Sequence, residues 1–533
     1  MSKTFNHPTL GELRPIWGET VNQFLGLKYA WLTARFATSE LFSPAPSKVT
    51  DATQYGPSVV THSSGCKVEY GFIQQSLPER AFASSELDGL NLNIVVPTIA
   101  SSGKGLPCFV FIHGGGFTNG GNSWPQYDLT RFVQLSIEQG EPIIAININY
   151  RMGVFGFLTS EELRKEGYVG NNGLRDQRVA FEWIKRNIAG FGGDPDNVTV
   201  GGQSAGGIST TLHIYSKTPQ FARAISMGGT TLLMKPLPTF VHEMTYKTVV
   251  EALGLSAKTP EERISILKKT PAEELLSRLP PGLPLQPVMD GDFIPTAATF
   301  KDVADLHSAT MPGKSWCKGL LIGNNQLDAS IVVGALGARK GPLITAFISS
   351  MRKTLAPYDT VADTIFTMYG MANSMSDSEA VTAILHFVTD IGLTAPVLTF
   401  AEGFSSKAYV YFFNEPNPWE GRFKGQASHI LDVAFLFQNF NAFLDAAQAQ
   451  SARNFAVDVI RFVGGKAPWT AFDAETFVAR VYGPSQGRGE ALTLETTRRE
   501  EVSTGRRLGI FRFAEQPGLD VISNALGVFL AGK

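Results

Sequence analysis

In Gly202-Gln203-Ser204-Ala205-Gly206 a serine stands between glycines two residues away on each side. A serine hydroxyl attacks a carbonyl only when it is exposed and a base can take its proton. The Gly-x-Ser-x-Gly spacing meets the first need. A strand turning sharply into a helix has no room for larger side chains at the two glycines, and the turn holds the hydroxyl out at the sheet edge. Val198-Thr199-Val200 reads as the strand before it, and Ile208, Leu212 and Tyr215 fall on one face of a helix after it. A second match, Gly483-Pro484-Ser485-Gln486-Gly487, has proline before the serine and Arg488-Gly489 after it. That is loop chemistry, so Ser204 is the candidate nucleophile and Ser485 a decoy.

An acyl-transfer site also needs donors for the negative oxygen of the tetrahedral intermediate. His113-Gly114-Gly115-Gly116-Phe117 follows the apolar run Phe109 to Ile112 directly, and glycines present backbone N–H groups with no side chain in the way. His113 then reads as scaffold rather than base. In a fold with a nucleophile elbow the order is serine, acid, histidine. Of the 8 histidines only His386 and His429 come late enough in the chain. His386 lies in the apolar stretch Ala383 to Val388, where a packed histidine is the commoner outcome. His429 lies in the polar run Gly425-Gln426-Ala427-Ser428-His429.

Several longer runs carry a family resemblance. Asn149-Tyr150-Arg151-Met152-Gly153-Val154-Phe155-Gly156-Phe157 is one, and Asn172-Gly173-Leu174-Arg175-Asp176-Gln177 another. A third runs through Trp183-Ile184-Lys185-Arg186-Asn187-Ile188 to Phe191-Gly192-Gly193-Asp194-Pro195-Asp196-Asn197-Val198-Thr199. With these the chain resembles the carboxylesterase type-B, or cholinesterase-like, family of α/β-hydrolases. Weaker echoes extend from Gly26-Leu27-Lys28-Tyr29-Ala30 to Pro287-Val288-Met289-Asp290-Gly291 and beyond. The resemblance implies an oxyanion site of Gly115, Gly116 and Ala205, with His429 as base. It places the acid at Asp328, in Gln326-Leu327-Asp328-Ala329 where the family has a Lys-Asp-Glu-Gly-like run. Asp290 and Asp292 are turn-forming rivals. Aspartate is one methylene shorter than glutamate, so the imidazole must sit slightly closer to this loop.

Three departures from the family pattern narrow the reading. Leu87-Asp88-Gly89-Leu90 stands where the family has Glu-Asp-Cys-Leu, so Cys66 has lost the partner that the resemblance implies. Gln203 stands where cholinesterases carry glutamate, which removes a charge that would favour a cationic substrate. Met227-Gly228-Gly229 replaces a Gln-Ser-Gly run and removes a hydroxyl near the triad, with no consequence that follows from the sequence. The implied activity is a serine carboxylester hydrolase acting on neutral esters through an acyl-enzyme. Gln203, Phe117 and Trp124 would contact substrate, the two aromatic residues allowing an apolar leaving group. Lactone or amide cleavage, acyl transfer to an alcohol or amine, and a non-catalytic binding role are the alternatives.

The elements that must position these residues alternate. Leu92 to Val96, Phe109 to Ile112, Ile143 to Ile148, Val198 to Val200, Leu320 to Ile322 and Tyr409 to Phe413 read as buried strands, and Asp176 to Asn187 as a helix. This alternation predicts an α/β fold, a mostly parallel sheet flanked by helices. Helical insertions over about 240–280 and 330–400 would cover the carboxyl edge, all within one large domain over 1–533. Lys+Arg 46 against Asp+Glu 48 gives net charge −2, with no footprint for nucleic acid. No spanning segment is expected, since no run approaches about 18 apolar residues. No His/Cys/carboxylate cluster has ligand spacing, so no metal or cofactor is expected. The opening residues lack a secretory apolar stretch, and 3 cysteines leave at least one free. A reducing, cytoplasmic setting is the expectation.

Overall fold

The computed structural model describes residues 3–43, 49–80, 83–99, 105–339 and 341–532. Its centre is a sheet of ten strands: β1 (Val21–Lys28), β2 (Asn91–Pro97), β3 (Leu106–Ile112), β4 (Ile144–Ile148), β5 (Gly193–Gln203), β6 (Arg223–Met227), β7 (Gly319–Asn325), β8 (Lys407–Phe413), β9 (Ala479–Tyr482) and β10 (Thr493–Thr496). In space they run β1-β2-β4-β3-β5-β6-β7-β8-β9-β10. From β4 through β9 every pairing is parallel, while β1–β2, β2–β4 and β9–β10 are antiparallel. This is the α/β-hydrolase arrangement that the βα alternation predicted.

Successive side chains of the central strands point to opposite faces, and both faces are covered. Cys108, Val110 and Ile112 of β3 join one core, with Ile144, Ile146 and Ile148 of β4 and Leu320 and Ile322 of β7. Helices α3 (Asn172–Asn187) and α4 (Ala205–His213) pack there through Leu174, Trp183, Ile184, Ile208 and Leu212. Phe109 and Phe111 face the other way, into a core with Tyr411 and Phe413 of β8. Helices α2 (Thr130–Glu138) and α9 (Ala446–Val463) close that side with Phe132, Phe455 and Ile460. The buried strands therefore read as continuous apolar runs. β1, β6, β9 and β10 escaped the sequence reading because the first is an interrupted edge strand and the others are short runs that mix polar with apolar residues.

The two insertions are helical. The first holds α5 (Thr239–Ala252) and α6 (Pro260–Lys269), the second α7 (Leu343–Thr354) and α8 (Asp377–Thr389). α8 continues through a π-turn at Asp390–Thr394 into Ala395–Glu402, a helix of 26 residues that is long and apolar enough to cross a membrane. It is mostly buried inside the molecule, and its apolar character serves the core. Asp390 interrupts the run and accepts hydrogen bonds from Tyr369 at 2.8 Å and from the Arg507 backbone at 2.9 Å.

Candidate active site

The proposed triad and glycine run follow the carboxyl ends of central strands: Gly115 and Gly116 after β3, Ser204 after β5, Asp328 after β7 and, farther along, His429 after β8. Open α/β sheets place their sites at this edge.

β5 reverses into α4 through Ser204, which stands at φ 55°, ψ −121°. Few non-glycine residues adopt that conformation, and it persists only where the surroundings impose it. Here the Ser204 N–H donates to Met227 O at 2.9 Å, and Ser204 O accepts from Ile208 at 2.9 Å. A Cβ on Gly206 would lie 2.0 Å from Ile112 O, and one on Gly202 would lie 2.3 Å from the Gly206 carbonyl carbon. Strand and helix thus approach as closely as the two glycines allow. Ser204 is partly exposed, as are Gly115 and Gly116. Among the described residues the N–H groups of Gly115, Gly116 and Ala205 have no hydrogen-bond partner, which leaves three donors free for an incoming oxygen.

His429 Nδ1 lies 2.5 Å from Asp328 Oδ1. The two loops are stitched together: Leu327 pairs with Ser428 in a parallel bridge, the Leu327 N–H donates to Ala427 O at 2.8 Å, and the His429 N–H donates to Ser330 Oγ at 2.8 Å. The second Asp328 oxygen accepts the Asn325 N–H at 2.9 Å. Asp328 is fully buried and His429 nearly so. With a proton on Nδ1 facing the carboxylate, Nε2 carries the lone pair.

That lone pair is occupied by an unexpected neighbour. Gln203 Nε2 lies 3.0 Å from His429 Nε2, so the side-chain amide donates to the imidazole. The Ser204 hydroxyl makes no hydrogen bond among the described residues. Gln203 therefore touches the histidine itself. Catalytic hydrogen bonds are often long or misaligned without substrate, and here the neighbouring amide fills the position that Ser204 would use.

The missing hydroxyl at residue 228 also acquires a reason. Gly228 has φ +54°, and a Cβ there would lie 3.0 Å from Asp328 Oδ2. The carboxylate packs over the bare glycine, in the space that a serine side chain would need. Behind it Asp432 accepts from Asn325 Nδ2 at 3.1 Å and from the Tyr411 hydroxyl at 2.7 Å. Burial, and then the Asp328 charge, push the Asp432 carboxyl above its ordinary range. Arg506, fully buried, donates to Asn414 Oδ1 at 2.6 Å and to Asn324 O at 3.0 Å. Burial pulls its guanidinium down to about 10, opposed by the charges of Asp390 and then Asp328. No sequence signal pointed to Arg506, whereas Asn325 and Ser330 lay in the acid loop without a role.

The remaining candidates have other duties. Ser485 is buried and donates to Glu415 Oε1 at 2.5 Å. His386 is half-buried on α8, far along the chain from the glycine run, and burial lowers it to about 4. Asp290 and Asp292 both hold Arg175, at 3.2 and 2.7 Å. His113 is a buried scaffold residue, stacked on Tyr150 with centroids 4.6 Å apart and lowered to about 4 by burial. Phe117 is fully buried and edge-on to Phe157, and Trp124 stacks on Tyr127, so both rings are engaged in packing. Cys66, Cys108 and Cys317 are buried and unpaired. Among the described residues no group of three or more His, Cys, Asp or Glu could hold a metal ion.

Comparison with known proteins agrees with this architecture. The sequence profile of the carboxylesterase family matches residues 10–463. Lipase 2 of Diutina rugosa is 28% identical over 352 residues, 61% of this chain and 62% of that protein. Acylcarnitine hydrolase of Mus musculus is 29% identical over 443 residues, 79% of this chain and 74% of that protein. The chain spans between about half and 62% of the length of the Diutina rugosa lipases it matches. A solved PNB esterase superposes with a TM-score of 0.71 at 24% identity, covering 95% of this chain and all of the other.

Proposed function

The chain belongs to the carboxylesterase family, and from that premise we propose that it hydrolyses neutral carboxylic esters with Ser204 as nucleophile, His429 as base and Asp328 as the orienting acid. The observation that carries this reading is the 2.5 Å contact between His429 Nδ1 and Asp328 Oδ1, at the same sheet edge as a serine held at φ 55°. Hydrolase and lipase relatives fit it.

In the proposed cycle Gln203 releases His429 Nε2 to the Ser204 hydroxyl as substrate enters. Ser204 Oγ adds to the ester carbonyl while its proton passes to Nε2. Asp328 stabilises the imidazolium and holds the ring in the tautomer that can accept. The carbonyl oxygen takes the negative charge and meets the free N–H groups of Gly115, Gly116 and Ala205. Collapse expels the alcohol, which leaves with the proton from Nε2. Water then attacks the acyl-enzyme by the same route, giving the acid and free Ser204.

A fluorophosphonate should label Ser204, located by peptide mass spectrometry, and Ser204→Ala should abolish both labelling and turnover of a neutral aryl ester. His429→Ala should lose at least ~10³-fold in kcat, because base and leaving-group acid go together. Asp328→Asn should lose several orders of magnitude. Labelling at Ser485, or a crippling Asp290→Asn beside an active Asp328→Asn, would overturn the assignment.

A further inference from the structure

Arg506 is a buried charge behind the acid loop that the proposed cycle does not use. It lies beyond β10, past the residues 10–463 that the family profile matches. Its backbone rests on the acid loop: Gln326 Nε2 donates to Thr504 O at 3.0 Å, and a Cβ on Gly505 would lie 2.4 Å from that same nitrogen. The next N–H, of Arg507, is held by Asp390 at 2.9 Å. The Arg506 side chain runs inward from there, with its guanidinium 4.3 Å over the Phe412 ring. The fork spans the ends of two strands. Nη2 donates to Asn324 O at 3.0 Å and Nη1 to Asn414 Oδ1 at 2.6 Å. Asn324 is the penultimate residue of β7, and Asn414 directly follows β8. These strands pair side by side, and the chain beyond them carries Asp328 and His429. The Asn324 carbonyl and the Asn325 N–H belong to one peptide group, and that N–H donates to Asp328 Oδ2 at 2.9 Å. A donor on the carbonyl strengthens the N–H on the other side, because hydrogen bonds in a chain polarise one another. Arg506 thus reaches the Asp328 carboxylate through a single peptide plane.

We infer that Arg506 is a positioning residue for the proposed triad, holding the acid and base loops in register and favouring the charged form of Asp328 through the peptide that joins Asn324 to Asn325. The inference rests on the esterase reading above. A neutral donor could bridge the same two acceptors without the cost of burying an ion. What the guanidinium adds is a positive potential at the acid loop. Lowered by burial to about 10, it still carries its charge through neutral pH. The sign of the effect follows from the two groups it faces. A site of this kind works with the acid charged and the base neutral, and a nearby cation opposes a proton on either. Arg506 therefore extends activity to lower pH. Other ionisable groups share the neighbourhood. Asp432, Tyr411 and Glu69 of helix α1 (Gly65–Ile73) surround the proposed acid and base, and Asp390 and Arg507 flank the guanidinium. Burial pushes the Asp432 carboxyl up, Asp390 up to about 6 and Glu69 up to about 7, while Tyr411 is raised well out of range. All of them titrate in wild type and variant alike, so the displacement between two profiles is the quantity to read.

The test is the pH profile of kcat and kcat/KM for a neutral aryl ester, measured on the full chain with Arg506→Gln and Arg506→Lys beside wild type. Above the acid limb, Arg506→Gln should lose at least about tenfold in kcat with KM near wild type, because the loops lose register while substrate binding is untouched. Its acid limb should move to higher pH by about one unit, the scale of one charge at an effective dielectric between water and the dry interior. Arg506→Lys keeps the charge but not the fork, so its limb should stay in place while kcat recovers only in part. A wild-type kcat and limb in Arg506→Gln overturns the inference. A lower kcat with an unmoved limb overturns it too, since a merely structural role gives that result. If Arg506→Gln does not fold, Asn414→Asp decides. It sets a carboxylate against Nη1, cancelling the charge while keeping both bonds, and its limb should also move up; an unmoved limb overturns the inference. Either failure leaves the esterase standing. A wild-type chain that neither hydrolyses the ester nor takes a fluorophosphonate at Ser204 sinks the esterase reading and the role of Arg506 with it.

Discussion

Gln203 changes meaning between sequence and structure. As a residue type it is a glutamate without its charge, which argues for neutral substrates. In the structure its amide reaches His429 Nε2 at 3.0 Å, so residue 203 also touches the proposed base. A carboxylate in that position would attract and stabilise the imidazolium. Gln203→Glu should therefore move the acid limb of the kcat/KM profile for a neutral ester to higher pH. It should also raise kcat/KM for a choline ester relative to its 3,3-dimethylbutyl analogue, since one unit charge about 4–5 Å away is worth on the order of 1–4 kcal/mol. An unmoved acid limb together with an unmoved ratio would mean that residue 203 faces neither base nor substrate.

At the scale of elements, the elbow is an agreement between three backbones. β3 ends at Ile112, β5 ends at Gln203, and α4 begins at Ala205. Gly206 is where the helix leans on β3, and a methyl group there would come within 2.0 Å of Ile112 O. Rotamer choice cannot relieve a Cβ, so the helix itself must shift. Gly206→Ala should cost about 1–3 kcal/mol, the usual range for overpacking a tight contact. It should also slow fluorophosphonate labelling, because moving α4 moves the Ala205 N–H. Urea denaturation and the labelling rate check this, and a stable variant labelled at the wild-type rate would show that the contact has slack. The acid and base loops rely on a different device. They come from β7 and β8, adjacent in the sheet, and the Leu327–Ser428 bridge extends that pairing beyond the strands.

At the scale of the whole molecule, Arg151 and Asp176, both buried, join three separate segments. Arg151 Nε and Nη2 each donate to the Asp176 carboxylate at 2.8 Å, and the Arg151 backbone N–H adds a third bond at 3.0 Å. Its remaining nitrogen, Nη1, donates to the carbonyls of Arg35 and Ala37. One ion pair thus ties the loop after β4, the start of α3 and the N-terminal segment together. Breaking such a pair from one side strands a buried charge, at a cost of about 3–5 kcal/mol. Asp176→Asn should lose stability on that scale in chemical denaturation, with fluorophosphonate labelling preserved below the transition. A loss under about 1 kcal/mol would show that the arginine finds water or another acceptor.

Local pattern was enough for the fold class and for the sharp strand-to-helix turn at Ser204. Apolar runs at strand length, a helix period after Ser204 and paired glycines around it are properties of neighbouring residues, and a mostly parallel sheet follows from their alternation, whereas its strand order does not. Asp328 and His429 lie 101 residues apart and were named through family likeness, not spacing. Their meeting depends on two parallel strands lying side by side. The same holds for everything the sequence concealed. Arg506 reaches the acid loop from the far end of the chain, and Gly228 makes room for the Asp328 carboxylate from the next strand. Gln203 turns toward His429. The packing of Phe117 on Phe157 and of Trp124 on Tyr127 was also invisible in one dimension. Contacts between distant segments depend on which way each side chain points after the sheet has twisted and the helices have docked. Residue types and their spacing along the chain carry no record of that direction.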